Sequence, residues 1–184
     1  MRIFIALKPA EEFLERLQES TRVLREKYPN FRWIPKENLH ITLVFLGEVD
    51  QTALLSLKEA VKTASEFREI HAAGGPYLFF PGRGSANALA LGFNRGGDEI
   101  TALSEELLKN LDKQGIHPGG TGKNGFSPHI TLARKGKEPL RFMDNPPSIS
   151  IEGLFNSLAL YKSELYREGA RYTILEQHQL EAVS

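Results

Sequence analysis

Two rhythms of apolar residues divide the chain. Residues 2–7 (Arg-Ile-Phe-Ile-Ala-Leu) are a short continuous apolar run and read as a buried strand. From Pro9 the spacing becomes helical, with Phe13, Leu14, Leu17, Leu24 and Tyr28 on one face. Pro9 is expected to open this helix, Glu11 and Glu12 suit the positive end of its dipole, and Pro29-Asn30 ends it. Trp33, Ile34 and Pro35 make a connector to a second strand over 38–47, closed by Gly47. Asp50 is placed to cap a helix over 51–68, with Leu54, Leu57, Val61 and Ala64 inward. Residues 69–93 divide into two strands; Gly74-Gly75-Pro76 interrupts the first, and Pro81-Gly82-Arg83-Gly84 turns between them. Asp98 is expected to cap a third helix that buries Ile100, Leu103, Leu107 and Leu111 and stops at Gly115. A glycine-rich loop at 118–125 leads to a strand at 127–134, and strands near 149–160 and 171–180, turning at Gly169, finish the chain.

Strands and helices mix without regular βαβ alternation, which predicts an α+β fold of mainly antiparallel sheets with helices packed outside them. The 184 residues suit one domain, or two small lobes sharing a core. One internal echo is present: His-Ile-Thr-Leu occurs at 40–43 and again at 129–132, each time in a predicted strand. It suggests two similar halves facing each other.

Composition narrows the chemistry. Hydrophobic residues make up 41% and charged residues 25%, ordinary globular usage. The 23 basic and 23 acidic residues cancel, which argues against a general polyanion binder but leaves room for a small anionic site. The absence of cysteine excludes disulfides, thiol nucleophiles and cysteine-based zinc sites. No apolar run suits a signal peptide or a membrane span, so a cytoplasmic protein without membrane contact is expected.

Side chains alternate along a strand, so His40 and Thr42 should share one face, about 6.5–7 Å apart, with Ile41, Leu43 and Phe45 turned to the core. His129 and Thr131 should do the same against Ile130 and Leu132. Two such strands lining one cleft would present two imidazoles and two hydroxyls. A neutral imidazole can deprotonate water and a protonated one can protonate a leaving oxygen. The hydroxyls can donate to phosphate oxygens that gain charge in the transition state. This scheme needs no cofactor, and two histidines are a thin ligand set for a metal.

The sequence resembles the two-histidine (2H) phosphoesterase superfamily, and within it the RNA 2′,3′-cyclic phosphodiesterases once described as 2′-5′ RNA ligases. The resemblance is carried by residues 2–7, Trp33, Asn-Leu-His-Ile-Thr-Leu-Val-Phe-Leu-Gly at 38–47, Ala-Leu-Ala-Leu-Gly at 88–92, Phe126, Pro-His-Ile-Thr-Leu-Ala-Arg at 128–134, residues 157–165 and Tyr172. It covers nearly the whole chain. It implies one bilobal domain over 1–184, with two pseudo-symmetric lobes whose sheets line a central cleft. It implies hydrolysis of an RNA terminal 2′,3′-cyclic phosphate to a 2′-phosphate. His40 would be the proton donor and His129 the proton acceptor, with Thr42 and Thr131 steadying the phosphoryl oxygens. Arg134 falls where the family carries an arginine suited to bidentate phosphate contact. Strict alternation, however, puts Arg134 opposite His129, so reaching the cleft requires a bulge or a strand end. The strand at 88–92 departs from the family in lacking an aromatic residue.

Other features carry less. Gly119-Gly120-Thr121-Gly122-Lys123-Asn124 fails the P-loop pattern and precedes a strand; it reads as a loop from which Lys123 could touch substrate. His71, His117 and His178 have no same-face partner and read as structural or surface residues. Phe79-Phe80 reads as core rather than as a base-stacking platform. Alternatives to RNA-end hydrolysis are ligation through 2′-5′ bonds, cleavage of a small cyclic nucleotide, or a non-catalytic nucleotide-binding module. Nothing in the sequence calls for a partner protein, so a monomer is expected.

Overall fold

The computed structural model describes residues 1–82, 86–118, 125–137, 140, 146, 148–167 and 169–183; Arg83, Gly84 and Lys123 lie outside them. The elements are β1 (Arg2–Pro9), α1 (Glu11–Lys27), β2 (Arg32–Trp33), β3 (Ile41–Glu48), α2 (Leu54–Ala64), β4 (Ile70–Phe80), β5 (Ala88–Arg95), α3 (Gly97–Lys113), β6 (Ile130–Arg134), β7 (Ile151–Tyr166) and β8 (Gly169–Gln179). All pairings between these strands are antiparallel, as the α+β reading expects.

The strands run in the order β1-β3-β6-β5-β4-β7-β8, and β7 also pairs with β1, so six of them close into a barrel-like circuit. The strands expected in separate sheets are thus joined. The long β7 joins them on one side: Ile151–Phe155 pairs with β4, and Phe155–Ser163 pairs with β1. The other junction is a single pair, Ile41 opposite Ile130, between the two motif strands. Helix α1 packs on β7 through Phe13, whose ring lies 4.8 Å from that of Phe155. Helices α2 and α3 pack on each other, and α3 also lies against β3. On β1, Ile3, Ile5 and Leu7 enter the main core, whereas Phe4 and Ala6 form a second cluster with Ala159 and Tyr161 on the opposite face. No helix among the described residues is long and apolar enough to cross a membrane.

Several element ends differ from the sequence reading. Pro9 ends β1, and α1 starts after Ala10 with no side-chain cap. Residues 36–38 form a 3-10 turn, so His40 lies just before β3 rather than within a strand from 38. Asp50 does cap, accepting from the Thr52 N–H at 2.8 Å, but a 3-10 turn precedes α2, which stops at Ala64. Helix α3 begins after Gly96, not with Asp98 as its cap: Gly96 adopts φ 81° against Ala72, and Asp98 falls in the first turn. The segment around Trp33 is not only a connector, because Arg32 and Trp33 pair with β6.

The two motif strands share an irregularity that alternation does not foresee. On β3, Thr42 pairs with Ala6 and Val44 with Ile5, which leaves Leu43 as an extra residue. On β6, Thr131 pairs with Ala90 and Ala133 with Leu89, which leaves Leu132 as an extra residue. Each is a bulge, which adds a residue to one strand and re-aims the side chains beyond it. Consecutive residues are therefore buried after each threonine: Leu43 and Val44, then Leu132 and Ala133. The bulged carbonyls find partners outside these pairings. Leu43 O accepts from Ser104 Oγ of α3 at 2.9 Å, and Leu132 O accepts from the Ile34 N–H at 2.8 Å. Replacing Ser104 with Ala removes a buried donor; an unsatisfied buried group costs about 1–3 kcal/mol. Urea unfolding of Ser104→Ala should show that loss, and unchanged stability would mean the bulge holds without it.

Candidate active site

His40, Thr42, His129, Thr131 and Arg134 line one cleft of about 550 Å³, a size suited to a small-molecule or nucleotide site. The pairing of Ile41 with Ile130 brings the motif strands side by side in opposite directions, with both isoleucines fully buried. The intervening His and Thr positions face the cleft. Each threonine has an alanine directly across the strand, Ala6 beside Thr42 and Ala90 beside Thr131. Directly opposed residues share a face, so each threonine stands beside a small, fully buried side chain. Phe80 of β4, opposite Ala88, sets its ring 4.9 Å from that of His129. It is 37% exposed, which corrects the reading of Phe80 as core.

The bulges decide two further residues. Arg134, predicted by strict alternation to face away, reaches the cleft because Leu132 takes up one step of the alternation. Phe45, predicted to face the core, is 49% exposed and lines the cleft because Leu43 does the same on β3. Phe45 and Arg134 hold equivalent places, each five residues past its motif histidine.

Both imidazoles are oriented by their own backbone. His40 Nδ1 lies 2.7 Å from Asn38 O, and His129 Nδ1 lies 2.8 Å from Ser127 O. A carbonyl only accepts, so each Nδ1 carries the proton and donates. Nε2 is then the nitrogen left for chemistry on each ring. In His40 it accepts from Thr42 Oγ1 at 3.1 Å. Phe4 stacks on the His40 ring at 5.0 Å, Tyr172 meets it edge-on at 5.5 Å, and Tyr161 tilts at 5.8 Å. Desolvation by this surround pushes the His40 pKa down to about 4, against the bond to Asn38, and the charges of Arg134 and His129 push the same way. Burial raises Tyr161 to about 12, so its phenol stays protonated.

Sequence reasoning missed two arginines. Arg2 and Arg32 line the cleft with Arg134, and no Asp or Glu does so among the described residues. Arg2 shares the parity of Phe4 and Ala6 and was legible in the period of β1. Arg32 was not, because only its pairing opposite Arg134 places it there. Among the other histidines, His71 is exposed, His117 pairs with Asp112 and His178 with Glu176; none lines the cleft. Because lost hydration lowers His40, Phe4→Ala should raise its pKa toward the ordinary imidazole value, near 6.5. Imidazole NMR titration reads this directly, and an unmoved value would discard the aromatic surround as the cause.

Comparison with known proteins places the chain in a family. The family model described as LigT like Phosphoesterase matches residues 7–76. The RNA 2′,3′-cyclic phosphodiesterase of Thermus thermophilus is 33% identical over 190 residues, covering 98% of this chain and 90% of that one. The protein of the same name from Thermotoga maritima is 29% identical over 188 residues, covering 98% and 96%. The crystal structure of TT0787 from Thermus thermophilus superposes with a TM-score of 0.80 at 28% identity, covering 98% of each chain. With the repeated motif, the closed antiparallel circuit and full-length similarity together, the chain belongs to the LigT-like family of two-histidine phosphoesterases.

Proposed function

We propose that this protein hydrolyses 2′,3′-cyclic phosphates at RNA ends to 2′-phosphates, with a single domain over 1–184 supplying one catalytic strand from each of two pseudo-symmetric halves. One observation carries the reading: two imidazoles, each with Nδ1 tied to a backbone carbonyl, line a cleft that holds three arginines and no acid among the described residues. The names of the Thermus and Thermotoga relatives supply the substrate class.

In this scheme His129 Nε2 takes a proton from water as its oxygen attacks phosphorus. The P–O3′ bond breaks, and His40 Nε2–H delivers a proton to the departing O3′. The products are a 2′-phosphomonoester and a free 3′-hydroxyl. Thr42 and Thr131 donate to the non-bridging oxygens, and Arg134 holds the same phosphoryl group through its guanidinium fork. His40 is neutral in the free protein above about pH 4, so it must gain a proton to serve as donor. An anionic phosphate beside Nε2 favours the imidazolium, so substrate binding itself charges the ring. A 5′-hydroxyl in place of water would join two RNA halves through a 2′-5′ bond by the same steps.

The direct test is turnover of a nucleoside 2′,3′-cyclic phosphate in excess EDTA, with the product isomer identified. Wild type should yield the 2′-phosphate, and His40→Ala and His129→Ala should each lose roughly 10²–10⁴-fold in rate. Thr42→Val or Thr131→Val should cost roughly 10²-fold. Either histidine variant retaining full rate, or a 3′-phosphate product, would sink the scheme. Folded wild type that binds nucleotides without turnover would favour the binding-module reading. Titration of His40 in the presence of a 2′-nucleotide should show its pKa moving upward; a fixed value would break the link between binding and protonation.

A further inference from the structure

The cleft extends past the two His-Thr pairs to Arg2 on β1. Arg2, Phe4 and Ala6 share one face of that strand, and the Phe4 ring backs His40. Arg2 therefore stands about 6.6 Å beyond Phe4 along the strand. Its guanidinium lies 4.9 Å over the ring of the half-exposed Phe45, which holds a flexible cation in one place. No ion pair joins Arg2 to a described carboxylate. Its cross-strand neighbour Glu48 instead meets the N-terminal ammonium at 3.1 Å. Arg2 is thus a positioned cation in a cleft without acids among the described residues.

The pseudo-symmetry of the motif strands gives this arrangement its meaning. After its bulge, one strand brings Arg134 to the cleft and the other brings Phe45 to the equivalent place. Phe45 carries Arg2 on its face, so positive charge is supplied at both equivalent places, directly on β6 and through Phe45 on β3. One anion, the reacting phosphate, accounts for Arg134, whereas Arg2 stands on a separate strand. An RNA end brings a second anion about one nucleotide away, whereas a free cyclic mononucleotide does not.

We propose that Arg2, held over Phe45, is a second phosphate subsite that receives the phosphodiester joining the terminal nucleotide to the one before it, and so selects RNA ends over free cyclic mononucleotides. This rests on the cyclic-phosphate reading of the site. Phe45 also offers the adjoining base an aromatic face, which binds single strands without sequence preference.

The test compares kcat/KM for cytidine 2′,3′-cyclic phosphate with that for a cytidine dinucleotide ending in the same cyclic phosphate. Wild type should favour the dinucleotide, and Arg2→Gln should lower the dinucleotide-to-mononucleotide ratio about tenfold, the scale of one charged hydrogen bond. Arg2→Lys should restore part of it. The ratio is independent of the fraction of enzyme folded. Arg95→Gln removes an equal charge from an exposed ion pair with Glu152 outside the cleft, and should leave the ratio as in wild type. The salt dependence of the dinucleotide reaction should also fall by about 0.7 in log-log slope in Arg2→Gln, as for one lost phosphate contact on a single strand. Turnover of both substrates with a ratio that Arg2→Gln does not change, or that Arg95→Gln changes equally, overturns the subsite alone. Wild type that opens neither substrate overturns the reading of the site and the subsite with it.

Discussion

A single cross-strand pair, Ile41 opposite Ile130, governs the geometry of the site. Both side chains are fully buried, and burial of an isoleucine is worth about 1.5–3 kcal/mol. Their burial turns the residues on either side toward the cleft, because side chains alternate. Antiparallel pairing then relates the two motifs by a local two-fold, so that the histidine of one approaches the threonine of the other. A one-residue slip at this junction would send the polar set into the core and the isoleucines into the cleft, so the apolar burial enforces the register of the two His-Thr pairs.

The paired bulges add what regular strands cannot. A strict alternation would keep Phe45 inward and turn Arg134 away. Each extra leucine reverses the parity of the residues after it, and each bulged carbonyl is satisfied from elsewhere, by Ser104 or by Ile34. Satisfying those groups removes the penalty that buried irregular backbone would otherwise carry. The bulges lie one residue beyond the threonines, where they re-aim side chains without disturbing the His-x-Thr spacing.

Charge and dryness are both unevenly distributed in this electrically neutral chain. Among the described residues three arginines face the cleft, and Arg32 lies directly opposite Arg134 across β2 and β6. Side chains so placed share one face and crowd each other. Gly169 accommodates the crowding: a Cβ there would lie 3.0 Å from Arg32 Nη2. The other side of the cleft is aromatic, and it withholds water from His40. Dryness from the rings comes first, and the charges of Arg134 and His129 add to it, in pushing the His40 pKa down to about 4.

The sequence by itself determined the main elements and the candidate site residues. Apolar spacing marked the three helices and the main strands, since burial of one face is a local property of the pattern. The repeated His-Ile-Thr-Leu named the polar groups that line one cleft, because a duplicated polar pair on an apolar backing has few structural explanations. Strand ends, caps and the two-residue β2 were misplaced where tertiary pairing or a left-handed glycine overrode local preference. Only the tertiary structure decided that the strands close into one circuit, that Arg134 and Phe45 face the cleft, and that Arg2 and Arg32 join them. Those facts depend on register between segments far apart in the chain, and a bulge is defined by its partner strand. A single sequence read along its own length carries no record of which residue lies opposite which.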